Sequence, residues 1–126
     1  VSAMTDITGY GLIGHAMELA EASRVRISIK SKDVPVITGA IELAERGMLT
    51  GGGKDNIAYC ADRVVYRSKQ IDSMIHLLHD PQTSGGLLIA VHPDDADNLA
   101  SEISANGTVC SIIGNVEAGE PGIEIH

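Results

Sequence analysis

The apolar positions fall into short runs whose period changes along the chain. Residues 12–22, LIGHAMELAEA, place Leu12, Ala16, Leu19 and Ala20 at helical spacing with Ile13 beside them, which predicts a helix. Residues 25–30, VRISIK, alternate strictly. Val25, Ile27 and Ile29 face one way and Arg26, Ser28 and Lys30 the other, as in a strand with one wet face. Asp33 is placed to cap a second helix and Pro35 to sit in its first turn. That helix is expected to reach about Arg46, with Ile37, Ala40, Ile41 and Ala44 on one face and Gly47 as its stop. Thr50 to Asn56, TGGGKDN, reads as a flexible loop. Residues 57–66 are irregular, with a weak strand around Val64, Val65 and Tyr66. A helix over 69–79 is carried by Ile71, Ile75 and Leu78 and halted at Asp80-Pro81, because proline disfavours the helical conformation in the residue before it. Gln82 to Gly86 form a polar turn, and LLIAV at 87–91 is a continuous apolar strand. Pro93 opens a helix near 94–105 that Asn106-Gly107 ends. TVCSIIGNV at 108–116 predicts another strand, and a short IEI segment follows the breakers Gly119, Pro121 and Gly122.

This order describes one α+β or α/β domain without internal repeats, and the alternation at 25–30 favours a sheet with a partly exposed face. A chain of 126 residues is one domain long and buries about two-thirds of its unfolded surface. Apolar residues make up 44% and charged residues 21%, which excludes a disordered tail, a collagen or a disulfide-dense mini-protein. With no Phe, no Trp and three Tyr, the core must be aliphatic, and platforms for stacking single-stranded nucleic acid are nearly absent. Seventeen acidic residues against nine basic ones give a net charge of -8, which repels phosphate backbones and anionic lipid. The same excess offers hard oxygen ligands for Mg²⁺, although most of it is solvated surface. Cys60 and Cys110 share no ligand spacing, so buried thiols in a reducing cytoplasm are expected rather than zinc or thioredoxin-type chemistry. No run approaches the roughly 18 apolar residues of a membrane span, and no signal peptide is visible. A motif follows Val1 so closely that the chain is expected to be a fragment of a longer protein.

Three segments carry candidate chemistry. The first, TDITGYGLIGH at 5–15, contains G-x-G-x-x-G at Gly9, Gly11 and Gly14, the pattern of a dinucleotide-binding turn, with Asp33 near the position of a ribose-binding acid. Against that reading, no buried strand is expected before Gly9, and the strand at 25–30 is too polar for a Rossmann sheet. What remains is a glycine turn opening a helix, where backbone N–H groups favour anions. Asp6 just upstream either ligates a cation or caps the turn, and His15 is a packed or surface imidazole. The second segment, DPQTSGG at 80–86, has hydroxyls, an amide and glycine N–H groups that suit phosphate or brace a neighbouring loop, or else Asp80 and Thr83 satisfy a sharp turn. Ser84 lacks the frame of a nucleophile elbow. The third, Gly51-Gly52-Gly53-Lys54, fails as a P-loop because Asp55 stands where Ser or Thr is required, and reads as a mobile surface loop. His76 and His79 lie one turn apart without an evident third ligand, so they are placed on a surface helix face.

TDITGYGLIGH resembles the TD-[VI]-TG-[FY]-GL-x-GH signature of the selenophosphate synthetase family, and DPQTSGGLLIAV its second signature. VPVITGAIELAERG, the glycines and Asn at 52–56 and SIIGNV match further segments in order, so the resemblance covers essentially the whole chain. It implies the C-terminal domain of a two-domain enzyme: α+β, a three-layer α/β/α arrangement with a mixed or antiparallel sheet and partial ferredoxin-like topology. It implies a reaction of ATP, selenide and water to selenophosphate, AMP and phosphate, feeding selenocysteine and selenouridine synthesis. An absent N-terminal domain would hold most of the ATP site, dimerise the protein, and carry the reactive Cys or selenocysteine and its Lys. No catalytic residue is then expected in this chain, and neither Cys60 nor Cys110 takes that role. Asp6 resembles the family's Mg²⁺-reaching carboxylate, which favours ligand over cap. Thr8, Gly9 and Gly11 would shape the turn, and the 80–86 segment would line the interdomain cleft. The fragment alone is expected to be inactive and to bind ATP weakly; nucleic acid and membrane are not expected partners. The alternatives are another ATP-dependent enzyme of the wider superfamily, such as one like thiamine-monophosphate kinase, or a dinucleotide-binding module using Gly9, Gly11 and Gly14.

Overall fold

A computed structural model describes all 126 residues. The order of elements is β1 (Ala3–Asp6), α1 (Gly11–Ser23), β2 (Val25–Ile29), α2 (Ala40–Glu45), α3 (Gly51–Cys60), β3 (Val64–Tyr66), α4 (Asp72–Leu78), β4 (Leu87–Ala90), α5 (Pro93–Ala105), β5 (Gly114–Ala118) and β6 (Gly122–Ile125). Four strands form a mixed sheet in the order β3-β6-β2-β5, in which β2 runs antiparallel to β5 and parallel to β6. β1 and β4 form a separate antiparallel pair. The α+β class with a mixed sheet is the one expected.

Helical spacing decides which face of α1 is inside. Ile13, Ala16, Met17 and Ala20 are buried to 1% exposure or less, and they pack on Ile27 and Ile29 of β2 and Ile123 and Ile125 of β6. The core is aliphatic, closed by Cys60 from the end of α3 and Leu78 from the end of α4. Full burial of each such isoleucine contributes about 2 kcal/mol. The short IEI segment thus supplies a core strand, its apolar side chains alternating inward around Glu124, which bonds Arg26 and Arg67.

The strand before the glycine turn, β1, is half-buried and exposed in alternation rather than buried, and it gains its place by pairing with β4. Four expectations are corrected. The second helix begins only at Ala40. Val34 before Pro35 is extended, and Gly39 takes φ +86°, so the chain cannot enter a helix earlier. Residues 50–56 are not a flexible loop, nor are 57–60 irregular. The Thr50 side chain accepts from Gly53 N at 3.1 Å and caps α3, a helix that buries Gly53, Asn56 and Cys60 along one face. The 108–116 strand lies later, at Gly114–Ala118. β2 offers only five residues to pair, leaving 108–112 without a partner on it. Ser28 is buried rather than wet, because β2 is a central strand.

His79 also departs from its expected surface place. It is 1% exposed, and its Nδ1 lies 2.8 Å from the Ile75 carbonyl. Its backbone carbonyl packs under Gly11, where φ is +69° and a β-carbon would come within 2.6 Å of the His79 carbonyl carbon. Gly11→Ala would therefore combine left-handed strain of about 1–2 kcal/mol with a backbone clash. A loss of about 3 kcal/mol is expected by denaturant unfolding, and a loss under about 1 kcal/mol would contradict this packing. Burial pushes the His79 imidazole below the ordinary histidine range. The unfolded chain then takes up a proton that the folded chain refuses, so the stability tied to neutral His79 is whole above about pH 6.5 and is lost as acid is added. The unfolding midpoint should fall between roughly pH 7.5 and 5.5, and fall less in His79→Leu. Equal pH dependence in the two proteins would refute the assignment.

Candidate functional site

Three segments that are far apart in sequence meet at one end of α1. The side-chain amide of Asn56, on the buried face of α3, donates to the Gly9 carbonyl at 3.0 Å and to the His79 carbonyl at 2.9 Å. Gln82 N donates to the Thr8 carbonyl at 2.9 Å, and Ile7 N to the Gly86 carbonyl at 2.9 Å. Thr50 donates its hydroxyl to Asp80 Oδ1 at 2.7 Å. The Asp80 side chain therefore braces the start of α3, while its backbone carbonyl accepts from Gln82 Nε2 at 3.2 Å within its own turn. The glycines here permit close approach. A β-carbon on Gly85 would lie 2.2 Å from the Ile7 carbonyl oxygen, and one on Gly52 would lie 2.8 Å from Pro81 Cγ. Segments 5–15, 50–56 and 80–86 thus form one hydrogen-bonded knot. Asn56 belongs to the matched glycine-and-Asn segment at 52–56, but nothing along the chain points to the carbonyls of Gly9 and His79, and His79 lies in no matched segment.

Each glycine of the G-x-G-x-x-G pattern has its own surroundings. Gly11 approaches His79, Gly14 accommodates Tyr10, whose Cβ would be 2.5 Å from a β-carbon there, and Gly9 stands open. The strands on either side of α1 belong to different sheets, so the parallel βαβ unit of a dinucleotide fold is not formed. Tyr10 stacks on Tyr59 with ring centroids 5.8 Å apart, and the Arg63 guanidinium lies over Tyr59.

Asp6 closes β1 opposite Leu87 of β4, with Met4 opposite Ile89. These four side chains share one face of the two-stranded pair. Leu88, on the other face, packs on the core. On the Asp6 face Met4 is 55% and Leu87 60% exposed. The carboxylate therefore stands on an uncovered apolar surface at the edge of the knot. Ile7 behind it is buried, and Thr8 beyond it reaches solvent again. No three His, Cys, Asp or Glu side chains lie together in the chain. A single hard carboxylate does not make a cage, but it fits Mg²⁺, which takes one or two protein carboxylates together with waters and substrate phosphates. Two cavities, of about 50 Å³ beside Thr50 and Asp80 and about 170 Å³ beside Arg26 and Arg67, are smaller than the ~300 Å³ that encloses a small-molecule ligand. Cys60 is buried and Cys110 partly so, both as free thiols. Burial pushes the Cys60 thiol up, away from the reactive thiolate. No helix is long and apolar enough to cross a membrane.

Comparison with known proteins follows the same lines. The chain is 44% identical over 117 residues to a selenide, water dikinase of Clostridioides difficile (strain 630), covering 92% of this chain and 34% of that protein. It is 37% identical over 125 residues to a selenide, water dikinase of Myxococcus xanthus (strain DK1622), covering 99% of this chain and 36% of that one. The resemblance to selenophosphate synthetases seen in the two signatures holds. The chain spans about a third of the length of these curated relatives. Among solved structures, thiamine-monophosphate kinase from Stenotrophomonas maltophilia K279a superposes with a TM-score of 0.62 over 98% of this chain and 30% of that one. At 14% identity, that likeness concerns the fold alone. The family described as AIR synthase related protein, C-terminal domain, matches residues 1–126, and the chain belongs to that family.

Proposed function

We propose that the chain is the C-terminal domain of a selenophosphate synthetase, an enzyme that turns ATP, selenide and water into selenophosphate, AMP and phosphate. The observation that carries this reading is Asp6, a lone hard ligand on an exposed apolar face next to the braced glycine turn. An incomplete ligand set on an uncovered surface is what a domain contributes to a cleft shared with another. The relatives' length supplies the occupant: the remainder of a full-length protein about three times as long. That N-terminal domain would cover Met4 and Leu87, hold most of the ATP site, and bring the reactive Cys or selenocysteine and its Lys. The full enzyme is read as a cytoplasmic homodimer, with no catalytic residue of its own in this chain.

The roles of this chain's residues follow from their places. Asp6 would hold Mg²⁺ together with substrate phosphates. When bound, Mg²⁺ supplies charge neutralisation at the phosphate oxygens as a phosphoryl group leaves. Covering the face with the other domain would exclude water from the carboxylate and strengthen its hold on a cation. Thr8 and Gly9 form the open lip of the turn. Gly11 holds that lip against His79, and the 80–86 segment, bonded to Thr8 and Ile7, fixes it from the other side.

In the full-length enzyme, Asp6→Ala should cut selenide-dependent AMP formation by about 100-fold and raise the Mg²⁺ requirement. Near-normal turnover with unchanged Mg²⁺ dependence would remove Asp6 from the site. The isolated 126-residue chain should bind Mg·ATP weakly by calorimetry. Micromolar binding, a Kd that requires about 8 kcal/mol, would contradict a shared site.

A further inference from the structure

One cluster of titratable and hydroxyl groups lies outside the roles assigned so far. His15, on the buried side of α1 at 8% exposure, sits between two partners. Its Nε2 is 2.9 Å from Thr8 Oγ1, and its Nδ1 is 2.9 Å from Glu18 Oε2. The ring edge meets Tyr10 at a centroid distance of 5.6 Å, which fixes the plane of the imidazole. The helix sets half of this arrangement, since residues three apart share a face and Glu18 follows His15 by three. The glycine turn sets the other half by folding Thr8 back over the first turn of α1.

The chemistry of the partners orders the protons. A carboxylate only accepts, so Nδ1 carries the hydrogen and donates it to Glu18. The other ring nitrogen of a neutral imidazole is then an acceptor, and the Thr8 hydroxyl donates to it. A hydroxyl whose single hydrogen is committed inward presents only lone pairs outward. Thr8 is exposed and lies two residues after Asp6, in the turn that follows β1. We propose that Glu18, His15 and Thr8 form a hydrogen-bond relay that fixes the Thr8 hydroxyl as an outward acceptor in the turn that follows Asp6, making His15 and Thr8 positioning residues for the water shell of a hydrated divalent cation. Mg²⁺ keeps several waters, all of them donors, and an acceptor locked in one orientation selects how they point. The relay rests on the reading of Asp6 as a cation ligand, and it adds the groups that would orient what the carboxylate holds.

Two measurements on the full-length enzyme test it. Selective ¹⁵N-histidine NMR of the metal-free protein at about pH 8.5, roughly two units above the ordinary histidine pKa so that neutral rings are read, should show His15 as the Nδ1–H tautomer alone, and Thr8→Val should let the other tautomer appear. Finding Nε2–H in the unaltered protein would overturn the relay. In Mg²⁺ titrations of AMP formation, Thr8→Val should raise the half-saturating Mg²⁺ about fivefold or more, a size typical of lost outer-shell partners, while Thr8→Ser stays within about twofold of the parent. Thr8→Val is exposed and keeps the backbone bonds of the turn, so its folding should be intact. Thr8→Val combined with His15→Gln should shift the titration no further than the worse of the two alone, because both break one relay. An unchanged titration in Thr8→Val, failure of Thr8→Ser to restore it, or additive losses would each refute the proposal. If Asp6→Ala shifts the titration and Thr8→Val does not, the relay alone falls; if neither shifts it, the reading of Asp6 falls as well.

Discussion

One buried amide holds the candidate site in shape. Asn56 gives its two side-chain hydrogens to carbonyls of Gly9 and His79, in segments that are otherwise separate turns. Both acceptors sit where ladder bonding is unavailable, one in the glycine turn before α1 and the other at the end of α4. Leaving the buried His79 carbonyl unmet would cost about 1–3 kcal/mol, while the bond to Gly9 ties down the more exposed turn. The amide can reach them only because α3 starts close enough, and that closeness requires glycine at positions 52 and 53 and a Thr50 cap bonded to Asp80. The position of Thr8 and Gly9, and through them the setting of Asp6, depends on this chain of contacts.

The architecture around this knot separates stability from chemistry. The packed core lies between α1 and the inner strands β2 and β6. The β1–β4 pair, which carries Asp6, adds Leu88 to that core from one face and leaves the other bare. A two-stranded pair with one uncovered apolar face is marginal by itself. Its order here comes from the bonds of Ile7 to Gly86 and Gln82 to Thr8 at the Asp6–Leu87 end, and of Ser2 to Ala90 at the other. An exposed, braced surface of this kind is suited to closing a site from one side.

Elements whose pattern repeats over several turns were legible in the sequence. α1, β2 and α4 fall close to where periodicity places them, because one-sided burial imprints a period, and α5 falls between its punctuating Pro93 and Asn106-Gly107. Local glycine chemistry misled in two directions. Three glycines after Thr50 read as flexibility, but two of them, Gly52 and Gly53, serve close approach to Pro81 and Asp80, a tertiary demand invisible along the chain. Gly39 was passed over inside an expected helix, although its left-handed φ marks where that helix begins. β1 and the late start of β5 depend on which strand offers a partner, and no local pattern reports that. At the site, Asp6, Thr8, Gly9 and Gly11 were visible as a motif. Asn56 was visible in the 52–56 segment, but its bridging role was not, since a polar side chain on a helix gives no sign of the carbonyls it will meet. His79 read as surface because burial beneath a neighbouring glycine is set by the fold.

The central claim is that Asp6 completes a magnesium site shared between two domains. The most direct measurement is a crystal structure of the full-length protein with Mg²⁺ and a non-hydrolysable ATP analogue bound. The account predicts an Asp6 carboxylate oxygen at about 2.1 Å from Mg²⁺, the inner-sphere distance for that ion, with Met4 and Leu87 covered by the other domain. A bound ion whose ligands do not include Asp6, with that carboxylate directed into open solvent, would contradict it.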